Sequence, residues 1–498
     1  MLKQILRGAG TDALKYFPVR LVPALTSLIT VPLFTRLIEP ADYGNFYLIT
    51  SATALTATFA TAWITGSVVR FYWPHRKEGK LDRYVATTVW SAVASLLTAA
   101  ALVGLGILVL ADRLPDGLAA LAPIACASLA FNYTVNVLLQ VLRASNRSTQ
   151  YAVLAVASSI LATVLSVYFV AGPRLGAFGI LAGVALGNML LLPFGLKAVR
   201  AEGSISPRDF DRSVLGEFTS YGFPLVPAAI STWLLVMADR YIIGIFRTTS
   251  EVGLYSTAYG LGDKIMNLII LPLTIAIAPV MVQTFEQQGQ AMAQKVQTQF
   301  TRYFAMATFP LLFGMAAAGK DFMTVFTGAA YRAAYPILAI VAASVLMNGL
   351  TQIAGNGLAL HKKSKIMMRN ALTAALFNIV TNVLLVPRFG YIAAAYTTFA
   401  SYLLFLTLTW LRSRPYMSWD IPWLELVRIA AASGLMYATL RVVFSFVEIS
   451  ALWFLAEVAL GLVIYVLGLL LFGAVREDER AFVRELASAV GRKLRVRS

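Results

Sequence analysis

Asn132-Tyr133-Thr134-Val135-Asn136-Val137-Leu138-Leu139-Gln140 returns 216 residues later as Asn348-Gly349-Leu350-Thr351-Gln352-Ile353-Ala354-Gly355-Asn356, with an amide side chain at every fourth position of both stretches. Residues at i, i+4 and i+8 share one helix face. Each copy is therefore a polar row inside a segment otherwise suited to lipid, and such a row is costly unless it faces protein or water. A lone intramembrane amide more commonly joins two helices. Two rows in matching register favour a shared cavity, so Asn132, Asn136, Gln140, Asn348, Gln352 and Asn356 are candidate substrate-binding residues. The chain reads as built twice.

Further blocks repeat in the same order. Leu21-Val22-Pro23-Ala24 reappears as Leu225-Val226-Pro227-Ala228, a register that aligns Arg36 with Arg240. Pro173-Arg174-Leu175-Gly176 reappears as Pro387-Arg388-Phe389-Gly390, and the ladder Gly179, Gly183, Gly187 becomes Ala393, Thr397, Ser401. Ordered self-similarity of this kind marks an internal repeat. Small residues on both sixth helices allow close backbone approach.

The composition names the solvent. Of 498 residues 59% are hydrophobic and 13% charged, with a mean hydropathy of +0.73, which no ordinary soluble domain approaches. Apolar stretches long enough to cross a hydrocarbon layer of roughly 30 Å number fourteen, from 14–36 to 450–474. We expect an all-α polytopic membrane protein with two pseudo-symmetric six-helix bundles and two C-terminal helices. The expected divisions are a first bundle over 1–198, a linker over 199–213, a second bundle over 214–411, the thirteenth and fourteenth helices within 412–474, and a basic amphipathic tail over 475–498. The tail places Phe482, Leu486, Val490 and Leu494 on one face, as a helix lying on an anionic membrane surface does. The first span has no small-residue cleavage site after it and reads as retained. Six spans separate equivalent elements, so the halves share one orientation and can rock about a central cleft.

Lys and Arg number 29 on the side of the termini against eight on the other, which predicts cytoplasmic termini. The net charge of +17 sits in short loops between spans, without the soluble basic face that nucleic acid requires. One cysteine, Cys126, and two histidines offer neither a disulfide framework nor a metal site. Short loops carry no paired acid and base for a glycosyltransferase or polymerase, so no enzyme activity is expected.

Ionisable groups within spans are rare and costly, and each is a functional candidate. Arg20, Asp239, Arg240, Asp263 and Lys264 lie well inside, with Arg428 and Glu457 nearer span ends. Arg20, Arg240 and Lys264 suit a diphosphate or acidic sugar. Asp239 and Asp263 suit a coupling proton or sodium ion, the only cofactor expected. An equally weighted reading has the acidic and basic pairs of the seventh and eighth spans neutralise one another and pin that hairpin. Glu425 and Arg428, three apart, read as a local ion pair; Glu457 has no partner nameable from sequence.

Thr35-Arg36-Leu37-Ile38-Glu39-Pro40-Ala41-Asp42-Tyr43-Gly44 resembles the first-loop signature of bacterial oligosaccharide flippases, the Wzx-like branch of the multidrug/oligosaccharidyl-lipid/polysaccharide exporter superfamily. Asp239-Arg240-Tyr241 with Glu251-Val252-Gly253-Leu254-Tyr255-Ser256 resembles that family's second-half counterpart. The resemblance implies an inner-membrane carrier that moves an undecaprenyl-diphosphate-linked oligosaccharide from the cytoplasmic to the periplasmic leaflet, with polysaccharide polymerase or export machinery as partners. It further implies a cavity lined by the first, second, seventh and eighth spans, and a groove for the lipid tail beside the last two. Thr35 stands where the second half has Asp239, so an acidic role there does not carry across both halves. A multidrug exporter of the same fold is the alternative; its organic cations would want an acidic, aromatic cavity, whereas here acids and bases are balanced.

Overall fold

The computed structural model describes residues 11–110, 117–447, 450–476 and Glu479. The helices are α1 (Thr11–Leu37), α2 (Pro40–Lys77), α3 (Leu81–Leu110), α4 (Leu118–Ala144), α5 (Ser148–Ala171), α6 (Gly176–Arg200), α7 (Arg212–Gly222) and α8 (Val226–Phe246). There follow α9 (Thr249–Gln288), α10 (Gln290–Phe326), α11 (Tyr335–Ala354), the short α12 (Asn356–Leu360), α13 (Ser364–Phe389), α14 (Tyr391–Ser413), α15 (Trp423–Val443) and α16 (Ala451–Leu471). Among the described residues twelve helices are long and apolar enough to cross a membrane, and a bent pair makes a thirteenth. Leu21–Leu37 is a further, shorter apolar helix, so the count comes close to the fourteen expected.

The helices pack as two copies of one scheme. In the first half α1 lies on α5, α2 on α3 and α4, and α6 on α4 and α5. In the second, α8 lies on α13, α9 on α10 and α11, and α14 on α11 and α13. Helices α15 and α16 pack on each other and on α10, burying Ile429, Met436, Leu440, Tyr465 and Leu469. In the first half the glycine ladder works as its spacing implies. A Cβ on Gly183 would collide with the Ser166 backbone, and one on Gly187 would sit 2.8 Å from the Ala162 backbone, so α5 and α6 touch main chain to main chain.

The seventh span is not one straight rod. Arg212–Ser231 and Trp233–Phe246 are bent 45° from each other, and Phe223–Leu225 forms a single 3-10 turn. Pro224 and Pro227 each remove a backbone donor and crowd the carbonyl four residues back, which accounts for the 3-10 turn at Phe223–Leu225. The consequence is that α7 packs on α2 and α3 of the first half, while α8 packs on α13 of the second. Trp63 stacks on Phe223 at 5.3 Å, and Ser67 donates to the Phe218 carbonyl at 3.0 Å.

Candidate functional site

Asp239 stands two turns before the end of α8 and is wholly buried. Its carboxylate accepts hydrogen bonds from the Tyr255 hydroxyl at 2.6 Å, the Asn382 amide at 2.7 Å and the Thr398 hydroxyl at 2.7 Å. Around these lies a second ring of bonds. Asn382 donates to Asn378 Oδ1 at 3.1 Å and accepts from Thr397 at 2.5 Å, and Asn378 donates to Thr398 at 3.4 Å. All five partners are buried. Four helices contribute: α8 the acid, α9 the phenol, α13 two amides one turn apart, and α14 two adjacent hydroxyls. The cage therefore collects one formal negative charge and a shell of hard oxygen atoms, a set suited to a proton or a monovalent oxygen-seeking cation.

Among the described residues the first half shows no such cage. In the repeat register Thr35 stands for Asp239, and Val164, Tyr168, Gly183 and Val184 stand for Asn378, Asn382, Thr397 and Thr398. Thr35 instead donates to the Val31 carbonyl at 2.8 Å and accepts from the Gly328 N–H at 3.1 Å.

The other intramembrane charges do not neutralise one another. Among the described residues no ion pair joins Asp239 or Asp263 to Arg240 or Lys264. Successive helical residues point about 100° apart, so Asp239 faces α13 and α14 while Arg240 turns away from them. Arg240 is 4% exposed, donates to the Val236 carbonyl at 2.9 Å and lies 5.1 Å over the Tyr259 ring of α9. One turn beyond Tyr259, Asp263 accepts from Asn267 at 2.8 Å. Half-buried Lys264 carries a charge with no hydrogen bond among the described residues. One further expectation is corrected. Glu425 pairs not with Arg428 but with Arg476 at 3.1 Å, and Arg428 donates to the Gly473 carbonyl at 3.3 Å; the chain beyond α16 folds back to compete for the carboxylate. Glu457 is buried, and its Oε2 has no partner among the described residues.

The first amide row lies on α4, whereas the second is not on one continuous helix as its spacing implies: Asn348 and Gln352 lie on α11, and Asn356 begins α12 after a turn at Gly355. Asn132 and Asn136 are exposed and bonded to each other at 2.6 Å. Gln352 is exposed, and Gln140, Asn348 and Asn356 are half-buried. No described bond joins one row to the other. Arg20 falls on α1, but its side chain lies outside the described residues, as does the tail from 480 onward.

At the end of the bundles away from the termini, the two halves meet across a near-symmetric seam. Gly44 on α2 and Gly253 on α9 cross so closely that a Cβ on either would lie 3.1 Å from the other's nitrogen. It would also collide with Thr249 O or Pro40 O. Two residues before each glycine stands an acid. Asp42 accepts from the Ala177 N–H at 3.0 Å and Glu251 from the Tyr391 N–H at 3.2 Å, each stabilising the N-terminus of its own half's sixth span. The two loop motifs thus do matching work: the acid holds its own bundle and the glycine meets the other. Tyr331 donates to the Ile38 carbonyl at 2.9 Å, and Arg36 to the Val325 carbonyl at 2.7 Å, which completes the closure at this end.

Asn378, Asn382 and Thr398 are not singled out by the sequence, and Tyr255 and Thr397 enter it only as members of the loop motif and the small-residue ladder, with no site role. Asn378 and Asn382 carry the same i, i+4 spacing as the amide rows, and Thr397 breaks the glycine ladder of its counterpart. Reading the repeat for its differences as well as its matches would have found them.

Two repeated bundles closed at one end, with an acidic cage buried in one of them, define a multi-pass membrane protein of the transporter type. A family model described as "Polysaccharide biosynthesis protein" matches residues 11–285, and the chain belongs to that family. It is 22% identical over 393 residues to the "Probable low-salt glycan biosynthesis flippase Agl15" of Haloferax volcanii, covering 78% of this chain and 80% of that one. A shorter match of 26% over 145 residues, 28% of this chain and 29% of the relative, links it to "Teichuronic acid biosynthesis protein TuaB" of Bacillus subtilis. Among solved structures, the lipid II flippase MurJ in its inward closed conformation superposes with a TM-score of 0.74 at 14% identity, covering 96% of this chain and 99% of that one. An inward-facing MATE family transporter of the MOP superfamily superposes with a TM-score of 0.66 at 14% identity, over 80% and 97% of the two chains.

Proposed function

We propose that this protein is a flippase for a lipid-linked oligosaccharide, carrying an undecaprenyl-diphosphate-linked glycan from the cytoplasmic to the periplasmic leaflet of a bacterial inner membrane for surface polysaccharide assembly. The observation that carries the reading is the pair of bundles sealed at the Gly44–Gly253 seam, in a chain whose relatives are glycan and lipid II flippases. Both termini lie on the cytoplasmic side by the distribution of Lys and Arg, so the seam closes the periplasmic end. Arg240, Lys264 and Arg20 meet the anionic part of the cargo, and the amides of α4, α11 and α12 meet sugar hydroxyls. An apolar groove of about 620 Å³ between α15 and α16, lined by Leu435, Ile464, Leu467, Leu470 and Leu471, suits the polyprenyl tail. Asp239 in its cage binds the coupling proton or sodium ion, with Asp263 as a second titratable group on the cleft helix α9. An ion moves the equilibrium only by its differential affinity for the two orientations, so the geometry of the cage has to differ between them. Polymerase or export machinery would receive the flipped glycan.

Deleting the gene and following the lipid-linked glycan tests the whole reading. Accumulation in the inner leaflet, relieved by the wild-type protein and not by an Arg240→Ala variant that still inserts, is the expected result. Drug hypersensitivity without loss of glycan export would favour the multidrug exporter of the same fold, and full export by the variant would remove Arg240 from the cargo site.

A further inference from the structure

Helix α9 carries three contacts on consecutive alternate residues. Glu251 accepts from the first N–H of α14, Gly253 crosses Gly44 of the other bundle, and Tyr255 donates to Asp239. The first and third hold α9 to the second bundle; the middle one is the seam itself. Only two residues, about 3 Å of helix rise, separate the cage from the point where the bundles touch. That point tolerates no closer approach, because neither glycine has room for a single added carbon.

The hydrogen bond at the inner end of this link is incompatible with an occupied cage. Tyr255 donates its proton to Asp239 Oδ2, which also accepts from Thr398. A cation held by that carboxylate repels a hydroxyl proton aimed at the same oxygen. The phenol then turns its proton away and presents its oxygen to the ion, and because Tyr255 is wholly buried with its ring tilted against Tyr259 at 5.6 Å, any shift of the ring toward the ion carries α9 with it. The equivalent residue of the first half is Phe46, which has no hydroxyl, so α2 carries no matching lever.

We infer that Tyr255 is a positioning residue that transmits cation occupancy of the Asp239 cage to the Gly44–Gly253 seam. The inference rests on the ion-coupled reading of the cage given above. Binding the ion loosens the Tyr255–Asp239 hydrogen bond, shifts the first two turns of α9 and parts the seam; its release restores both.

The test separates binding from transmission. With Cys126 replaced by serine, nitroxide labels at Pro173→Cys in the loop before α6 and Phe389→Cys at the end of α13, both exposed and on opposite bundles, report the distance across the seam in lipid nanodiscs. Measurements are made in sodium and in choline, and at pH 5 and 8, with sodium affinity followed in parallel by calorimetry. The wild-type distance is expected to lengthen with the cation. Tyr255→Phe is expected to bind it with affinity lowered by no more than about tenfold, as befits one lost hydrogen-bonding group, yet to show no change of distance. Gly253→Ala, altered at the other end of the link, is expected to bind normally and to hold the long distance with or without the ion. A Tyr255→Phe or Gly253→Ala protein that responds as the wild type does overturns the role of Tyr255 while leaving ion coupling in place. A wild-type protein that neither binds nor responds to sodium or protons sinks the coupling reading itself.

Discussion

A buried carboxylate has to be satisfied by something, and Asp239 is satisfied by neutral donors. Hydrogen bonds to a charged group contribute about 1.5–3 kcal/mol each, and stranding a buried donor costs about 1–3 kcal/mol. Asp239→Ala leaves Tyr255, Asn382 and Thr398 facing an empty site, so we expect it to lower stability by at least about 3 kcal/mol, measured by thermal unfolding in detergent. Asp239→Asn keeps the shape and an acceptor but not the charge. It should fold close to normally and lose the dependence of export on the ion gradient; export that stays equally sensitive to dissipating proton and sodium gradients would refute the coupling role. The same replacement at Asp263, whose partner is Asn267 alone, tests whether a second acid takes part.

Helices meet at this seam through backbone, which makes small changes expensive. Gly44→Ala places a methyl against the Thr249 carbonyl, and overpacking of this kind costs about 1–3 kcal/mol. A shift of 2 kcal/mol changes a two-state population by about 30-fold, so Gly44→Ala should leave the distal end open for much of the time and reduce export. The readout is labelling of a cysteine introduced at Ser51, which lies buried beneath the seam and bonded to Tyr241. A thiol there that reacts no faster in the variant than in wild type would show that the seam is not the barrier. The broken seventh span belongs to the same scale. Its bend lets α7 stay with the first half while α8 belongs to the second, so the linker between bundles is also a strut.

For the molecule as a whole, the segment after α16 is bolted to the second bundle at the terminal end. Arg302, 1% exposed, donates to Glu479 at 2.5 and 2.7 Å and to the Ala474 carbonyl at 2.5 Å. Burial pushes the Glu479 carboxyl up, but hydrogen bonds from Arg302, the Arg476 N–H and Tyr303 outweigh it and hold the group at about 2. The pKa is lowered on folding, so the clamp contributes fully above the ordinary glutamate value of 4.5 and is lost as pH falls from there through about 2. Hydrogen exchange over residues 472–479 should therefore be equal at pH 8 and pH 6 after correction for intrinsic rates, and Glu479→Gln should exchange faster at both. Equal protection in the variant would show that Arg302 holds the segment through Ala474 alone.

The approximate number of spans, the twofold repeat and the all-helical class were legible because each is a property of contiguous chain. The length of an apolar run is matched against the thickness of a bilayer, and a repeat is compared with itself. Partner choice was not legible in the same way. Asp239 and Arg240 are neighbours in sequence yet face different helices, and Asp239 meets Asn382 across 143 residues. Glu425 prefers Arg476, 51 residues away, to the arginine one turn along. The sequence alone determined roughly how many helices there are, what solvent they meet and that they come in two sets. Which polar side chains share a cage, and that among the described residues only one set has it, depended on how each helix is rotated about its axis, and rotation is settled by packing between distant segments.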